Sequence, residues 1–507
     1  MNPTSIKQEV VDAKELAAAL VAALGLPADH PSAHWAETAY QAVLDGQSCH
    51  PVKLVPAFDE IVGRPEDPET PLVLRTTGSS ALLYLRHMDE MEDNLAKKVK
   101  GRATKRADDA RWDAAPANDI AAKDGLNDEQ RSALYRIADY KFIILTGGPG
   151  TGKTHTLKSL LKYAVNVGKL SPEQIRLVAP TGRASRRIDV GLASLRQDEA
   201  FSNLPQPQTI HSLLYEPEAF DGMQLLVVDE SSMVDLMLFD EVIAKLPDDC
   251  TLVLVGDPNQ LPSVEVGSVL ADLCESPILK PNIIQLVQQH RSKREIIELA
   301  ERVLNDQGIG EIPLVEPTPD EVIKNVLPAF IKLRDMAHSG DVAGSVALID
   351  EVRVLCSHVN GPLGAETLSR LIADKLDIKL YPLGTGSLVM VTRNDRRGSG
   401  LTNGDVGVMV GDLVYFPNNP VGYDISRLPG YALAFATTIH KAQGSEYKHA
   451  VVVIGTSKRE GFLNRQLIYT GITRAREQLT LIADRKILQE ACENKVPRAS
   501  GLKDRLR

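Results

Sequence analysis

Eight consecutive residues, Gly147-Gly148-Pro149-Gly150-Thr151-Gly152-Lys153-Thr154, have the composition and spacing of a loop that cradles phosphates. The glycines let successive backbone N–H groups turn inward as an anion nest, Lys153 reaches the β- and γ-phosphates, and the Thr154 hydroxyl is offered to Mg²⁺ at the positive end of a helix. The setting supports this reading, because the apolar run Phe142-Ile143-Ile144-Leu145 leads in and a helix-like stretch from Leu157 to Val167 leads out. The spacing predicts a nucleoside-triphosphate site.

A second constellation follows the apolar run Leu225-Leu226-Val227-Val228, where Asp229 and Glu230 stand side by side. Ligands of open α/β sheets collect at the carboxyl ends of strands. There Asp229 is expected to hold Mg²⁺ and Glu230 to polarise the attacking water. Without a phosphate loop upstream, the same pair would read as a strand end meeting solvent. The next run, Thr251 to Val255, ends in Gly256-Asp257-Pro258-Asn259-Gln260, which would set the Gln260 amide beside the γ-phosphate as a sensor. The bland alternative is a tight polar turn. Arg291 and Arg474 are candidates for the cations that stabilise phosphoryl-transfer charge, an effect worth about 10³ to 10⁵ in rate. If Arg474 reaches in from a second core, nucleotide binding closes a cleft and hydrolysis opens it.

The elements that must position these groups are legible as patterns. From about 123 to 290, apolar runs at 142–145, 175–179, 225–228 and 252–255 alternate with helical stretches, as in a parallel sheet. A second series runs through Val352-Arg353-Val354-Leu355, Leu388-Val389-Met390-Val391, Val451-Val452-Val453-Ile454 and Leu479-Thr480-Leu481-Ile482. Two α/β cores follow, at 123–290 and 291–507, with the nucleotide between them. Within the second, 394–432 reads as short strands broken by Gly, Asn and Pro, a small β-barrel-like insertion. Residues 1–96 read as a mainly helical domain of their own, and 97–122 as a linker.

Bulk properties set the frame. A chain of 507 residues that is 43% hydrophobic can bury several cores, so about three or four domains are expected. No apolar run approaches the ~20 residues needed to span a bilayer, and Leu16 to Leu26 lacks the basic start of an export signal, so a cytoplasmic setting is expected. The five cysteines form no C-x-x-C pair, which argues against zinc, iron–sulfur and disulfide frameworks. A net charge of −10 opposes nucleic-acid binding in bulk, but only local charge matters in a groove. Residues 97–106 are basic without one acid, and Arg183, Arg186 and Arg187 cluster after a strand. The bland and preferred reading of the first run is a solvated interdomain linker.

The order of these motifs resembles that of superfamily 1 helicases, and in detail the chain is similar to the RecD family, the alpha subunits of RecBCD-type exodeoxyribonuclease V. The likeness spans about residues 40 to 490. It rests on the phosphate loop, Asp229-Glu230, Gly256-Asp257 through Gln260-Leu261, and the arginine of Gln289-His290-Arg291. It continues through Ala436-Thr437-Thr438-Ile439-His440-Lys441-Ala442-Gln443-Gly444-Ser445-Glu446-Tyr447 and Tyr469-Thr470-Gly471-Ile472-Thr473-Arg474-Ala475. Further matches are Leu126-Asn127-Asp128-Glu129-Gln130, Ala179-Pro180-Thr181-Gly182-Arg183-Ala184, Thr209-Ile210-His211 and Asn403-Gly404-Asp405-Val406-Gly407.

The resemblance implies two RecA-like P-loop ATPase cores, with an SH3-like insertion in the second, that bind ATP and Mg²⁺. ATP contacts would come from Gln130 at the adenine edge, from Gly147, Gly148, Gly150, Thr151, Gly152, Lys153, Thr154 and His155, and from Gln260, Arg291, Gly444, Glu446 and Arg474. Thr181, Arg183, Thr209, His211, Asn403, Thr437, Thr438 and His440 would line a single-strand track, mostly through phosphates. For Thr209 and His211, loop capping is the alternative. The family also implies 5′ to 3′ translocation, single-stranded or duplex-end DNA as substrate, and RecB-like and RecC-like partners, the N-terminal domain docking on RecC.

Two departures bear on this. Only Leu213 to Gln224 separate His211 from the Asp-Glu strand, where family members carry a longer β-hairpin that separates strands. The large N-terminal extension of stand-alone RecD-like helicases is also missing, which favours the complex subunit. No nuclease motif is visible, so degradation would belong to a RecB-like partner. A free-standing helicase and a regulatory ATPase subunit that gates its partners are the competing readings. A kinase or GTPase is disfavoured by the absence of an Asn-Lys-x-Asp signature.

Overall fold

The structure, a computed structural model, describes residues 12–53, 58–77, 80–106, 112, 115–289, 293–395, 400–417, 419, 421–457, 462–495 and 498–507. Its organising element is a six-stranded, wholly parallel sheet. In chain order the strands are β5 (Phe142–Gly147), β6 (Ile175–Ala179), β7 (Gln208–Thr209), β8 (Leu225–Val228), β9 (Thr251–Gly256) and β10 (Ile283–Leu286). In space they run β10-β5-β9-β8-β6-β7. Strands β5, β8 and β9 are buried along their whole length, as expected where helices cover both faces of a parallel sheet. Alternate side chains serve opposite cores: Ile143, Leu145, Val227 and Val253 pack on one face, Phe142, Ile144, Leu226 and Leu252 on the other. Because β9 separates β5 from β8, the phosphate loop and the Asp-Glu pair leave the sheet one strand apart, with Asp257 between them.

The second parallel sheet has four strands, β11 (Val352–Cys356), β17 (Ala436–Thr438), β18 (Tyr447–Ile454) and β19 (Ala475–Ala483), in the order β17-β11-β18-β19. Its membership corrects the sequence expectation. Leu388–Val391 is not part of it but forms β12 of an antiparallel sheet with β13 (Val406–Val410), β14 (Leu413–Tyr415), β15 (Tyr423–Asp424) and β16 (Tyr431–Leu433). The β insertion therefore begins at 388, not 394. The reason is that β12 is buried on both faces: Leu388 and Met390 face the core under the second sheet, while Val389 and Val391 face a separate small core with Met409, Val414 and Phe416. An unbroken apolar run cannot distinguish this from a central parallel strand. The fourth parallel strand is instead the short Ala436–Thr438, which carries little apolar signal.

The N-terminal region also differs from expectation. Besides the helices Ala13–Ala23 and Ala33–Leu44, it holds a four-stranded sheet of β1 (Cys49–Val52), β2 (Val62–Gly63), β3 (Leu72–Thr77) and β4 (Ser80–Leu85), so it is mixed rather than mainly helical. The expected linker begins inside a helix, Arg86–Ala103, whose amphipathic face buries Leu95, Ala96, Val99 and Arg102. Arg102 donates to the carbonyls of Leu246, Pro247 and Cys250, so this residue of the basic run is neither solvated nor free for nucleic acid. Ala117–Asp124, at the other end of the expected linker, is helical too.

Residues 498–507 return to this N-terminal region instead of staying with the second sheet. Arg505 pairs with Asp89 at 2.7 Å and Glu92 at 3.1 Å and lies over the Tyr84 ring, while Ser276 Oγ donates to the Leu506 carbonyl. Glu92, only 1% exposed, also accepts from Ser48, Tyr84 and Ser500. Removing a partner from a buried ion pair costs about 3–5 kcal/mol, because the charge left behind is uncompensated. Arg505→Ala is therefore expected to lower stability by about that amount in urea unfolding. A loss below ~1 kcal/mol, the range of exposed pairs, would show that the pairing contributes little.

Candidate active site

The phosphate loop is shaped by its backbone. β5 ends at Gly147, Gly150 and Gly152 take φ of +78° and +89°, and the helix Lys153–Asn166 starts at once. At Gly152 two constraints coincide, since that φ is unfavourable for a side chain and a Cβ would collide with the Gln130 amide. Lys153 Nζ donates to the carbonyls of Gly147 (2.6 Å) and Gly148 (3.0 Å), and Thr151 Oγ1 to that of Gly148 (2.9 Å). Gln130 is already engaged: its side chain closes a capping box with Asn127, and Nε2 donates to Thr151 O at 3.4 Å. The His155 ring lies 3.0 Å from the Asp124 carbonyl, on an exposed face.

Asp229 and Glu230 follow β8. The Glu230 N–H donates to Asp229 Oδ1 at 2.9 Å, and Glu230 itself sits at φ +50°, ψ +39°. A non-glycine residue in this left-handed region stores about 1–3 kcal/mol of strain. Burial, reinforced by the neighbouring Glu230 charge, pushes the Asp229 carboxyl up to about 6, against the pull of that N–H, Arg187 and Lys153. Beside it, burial also raises Asp257, which accepts from Asn259 N–H (3.0 Å), Gln260 Nε2 (3.2 Å) and Tyr469 Oη (2.9 Å). Gln260 gives its NH₂ to Asp257, so its Oε1 is left buried without a hydrogen-bond partner. An orphaned acceptor of this kind costs about 1–3 kcal/mol unless a ligand or water meets it.

The second half completes the pocket. Pro149, Lys153, Thr154, Asp229, Glu230 and Gln260 from the first half line one cavity with Glu446 and Arg474 from the second, and with Arg187. Arg474 is 1% exposed and is held by donation to Thr470 O (3.0 Å) and Ser445 O (3.1 Å). Thr470 Oγ1 accepts from Leu261 N–H at 2.9 Å, and Gln443 Nε2 donates to Leu261 O at 2.8 Å, fixing the two halves together. Gly444 keeps its backbone close to Glu230 Oε1. Sequence reasoning missed Arg187, Asp257, Tyr469 and Gln443 as members of this site. Asp257, Gln443 and Tyr469 stand inside motifs quoted above and Arg187 inside the basic cluster, but nothing in those motifs assigns them to this pocket. Arg291 lies outside the described residues.

The residues expected along the DNA track divide into groups. Thr181 caps the helix Gly182–Leu192, accepting from Ala184 N–H at 3.2 Å, and Thr209 caps Ile210–Leu214, accepting from Ser212 N–H at 3.1 Å, so the capping alternative describes its present contacts. His211 and Asn403 are exposed. Thr437 is buried with Oγ1 unpartnered, Thr438 Oγ1 accepts from Lys441 N–H, and the His440 ring stands 6.4 Å from that of Phe462. Arg183 is turned toward the second half, 3.9 Å from Asp350. Between Ile210 and β8 there is one short helix and a 3-10 turn, Pro217–Phe220, with no hairpin.

Comparison with known proteins bears directly on this arrangement. An AAA domain model matches residues 125–312, and a UvrD-like helicase C-terminal domain model matches 433–482. The chain is 33% identical over 419 residues to the RecBCD enzyme subunit RecD of Mycolicibacterium smegmatis, covering 75% of each chain. The chain belongs to the RecD family. Another family member, from Haemophilus influenzae, is 30% identical over 464 residues and is covered to 72% of its length. The ATP-dependent RecD2 DNA helicase of Deinococcus radiodurans is 30% identical over 471 residues, covering 88% of this chain and 62% of that one.

The charge arrangement makes a prediction about pH. A carboxyl whose folded pKa lies above its unfolded value is unfavourable at neutral pH, and the penalty disappears as pH falls through about 6 toward the unfolded range. Asp229→Asn is therefore expected to stabilise the protein at pH 7, by on the order of 1 kcal/mol or more, and by clearly less at pH 4, in denaturant titrations at the two pH values. Equal effects at both would contradict the assignment.

Proposed function

We propose that this chain is an ATP-dependent DNA helicase and translocase, the RecD-type subunit of a RecBCD-type exodeoxyribonuclease V. The observation that carries the reading is the single pocket lined by the phosphate loop and Asp229-Glu230 of one half and by Arg474 and Glu446 of the other. Each half is read as a RecA-like core and the five-stranded antiparallel sheet as an SH3-like insertion. The expected domain division keeps its two cores, with the insertion starting at 388 and residues 498–507 assigned to the N-terminal region.

Lys153 and the loop amides would bind the β- and γ-phosphates, and Glu230 would accept a proton from the attacking water as the bond to the leaving oxygen breaks. The unpaired Gln260 Oε1 can accept a second hydrogen bond from that water, so Gln260 acts here by orienting the nucleophile. Arg474, already dry and fixed, would meet the charge that develops on the transferring group. The Thr154 hydroxyl and Asp229 carboxylate fit Mg²⁺. Both line the same cavity, and substrate phosphate oxygens and water would supply the remaining oxygen ligands. Bound there, Mg²⁺ would neutralise phosphate charge.

The capped helix at Thr181 and the segment at Thr437, Thr438 and His440 belong to opposite halves, so a strand held by both would advance as the cleft closes and opens, with 5′ to 3′ polarity expected from the family. RecB-like and RecC-like partners are the matching reading for a relative of a RecBCD subunit, with the nuclease on the partner and the N-terminal region docked on RecC. The missing hairpin after His211 favours this subunit role over a free-standing helicase, because a separating wedge must then come from elsewhere. No helix among the described residues is long and apolar enough to cross a membrane, and the cytoplasm is the proposed setting.

The test is strand separation on duplexes with a 5′ or a 3′ single-stranded tail, for the chain alone and with RecB-like and RecC-like chains. Unwinding from the 5′ tail, abolished by Lys153→Gln together with a fall in ATP hydrolysis of about 10²-fold or more, is the expected result. ATP hydrolysis indifferent to single-stranded DNA would overturn the reading.

A further inference from the structure

Arg183, Arg186 and Arg187 lie on one face of the helix Gly182–Leu192, at i, i+3 and i+4, and all three reach the second half. Arg183 stands 3.9 Å from Asp350, Arg186 pairs with Asp405 and Thr402, and Arg187 pairs with Glu446 and donates to Gly444 O at 3.4 Å. Arg187 differs from the other two. Its Nη1 also stands 3.5 Å from Glu230 Oε1, so one guanidinium is shared between the acid read as the water-activating base and an acid of the opposite half.

The helix that carries Arg187 joins two further places. It begins at Thr181, read as a DNA contact, and Arg187 follows six residues later, ~9 Å along the axis. Its far end is packed on the phosphate loop's helix: a Cβ at Gly191 would stand 2.7 Å from Thr154 Cγ2. A rigid element thus spans the DNA side and the nucleotide side, with a shared cation midway.

We propose that Arg187 is the positioning residue through which DNA engagement controls ATP hydrolysis. Without DNA, Arg187 is shared between Glu446 and Glu230, its Nη1 3.5 Å from Glu230 Oε1, and this contact holds the Glu230 carboxylate in place. When a strand engages the Thr181 end and the second half shifts, Arg187 gives up its contact with Glu230 and keeps Glu446 alone, and Glu230 turns toward the water. The shared and the single pairing define the two states, and DNA biases them because it contacts the element that carries the cation. The inference rests on the proposed DNA-dependent ATPase function.

Arg187→Lys tests it on the full chain with ATP, Mg²⁺ and an oligo-dT strand. Lysine keeps the charge but lacks the planar fork that spans two carboxylates. The expected result is a rise in the DNA-free kcat, so that the stimulation ratio falls about fivefold or more while the Kd for oligo-dT, read by anisotropy, stays within about twofold. A smaller fall in the ratio, a fall caused by a slower DNA-saturated rate, or one caused by lost DNA affinity would overturn it. Arg187→Met must move in the same direction if thermal melting shows it folded, and the Lys variant decides if it is not. An unsubstituted chain with no DNA stimulation would bring down both this inference and the proposed function, whereas normal stimulation with an unchanged ratio in the variant brings down this inference alone.

Discussion

Asp229 and Glu230 are forced side by side at the end of a strand buried over its whole length, and a pair of acids in such a place must be surrounded by cations. Three arrive from three directions: Lys153 from the phosphate loop, Arg187 from the helix after β6, and Arg474 from the second half. None is adjacent to the acids in sequence. The parallel sheet sets the first, the docked halves set the third, and the strained backbone of Glu230 is tolerated because this surrounding charge and packing over-determine it.

The contact between the halves follows the same logic. Leu261 stands just after the turn that carries Asp257 and Gln260, and both of its backbone polar groups are satisfied by the second half, through Thr470 and Gln443. Its side chain is buried in the second half's core with Ile439 and Tyr469. Any shift of the turn that carries Gln260 is therefore felt at the interface within one residue. The arginines of the helix Gly182–Leu192 make a second, electrostatic seam, sensitive to solvent because Arg186 and Arg187 remain partly exposed.

What was legible in the chain, and what was not, divides by range. The phosphate loop, Asp229-Glu230 and the runs that became β5, β6, β8, β9, β11, β18 and β19 declare themselves locally, through glycine placement and apolar continuity. β10 was missed because its buried residues alternate with exposed Gln285 at the sheet edge, and β12 was misassigned because burial on both faces looks the same in either sheet. The N-terminal sheet is hard to read because β3 and β4 are short apolar runs and their partners, Cys49–Val52 and Val62–Gly63, carry little apolar signal of their own. Arg474 is legible through the motif that carries it, whereas Arg187 poses the harder problem: it is one arginine of a basic cluster, and only the fold reveals that it faces the same carboxylates as Arg474. The basic patch expected from Arg183, Arg186 and Arg187 was a correct observation of charge whose partners, Asp350, Asp405 and Glu446, lie far along the chain.

The central claim is that one nucleotide site is built from both halves and that its occupancy sets their separation. The most direct measurement is the distance between spin labels on exposed positions of the two halves, Glu218→Cys and Glu366→Cys, in the presence of single-stranded DNA. A distance distribution that shortens and narrows with a non-hydrolysable ATP analogue, and lengthens with ADP, is the predicted result. One that is the same in both states would contradict the account, because the Arg474 side of the pocket would then be a fixed wall, not the moving part of a motor.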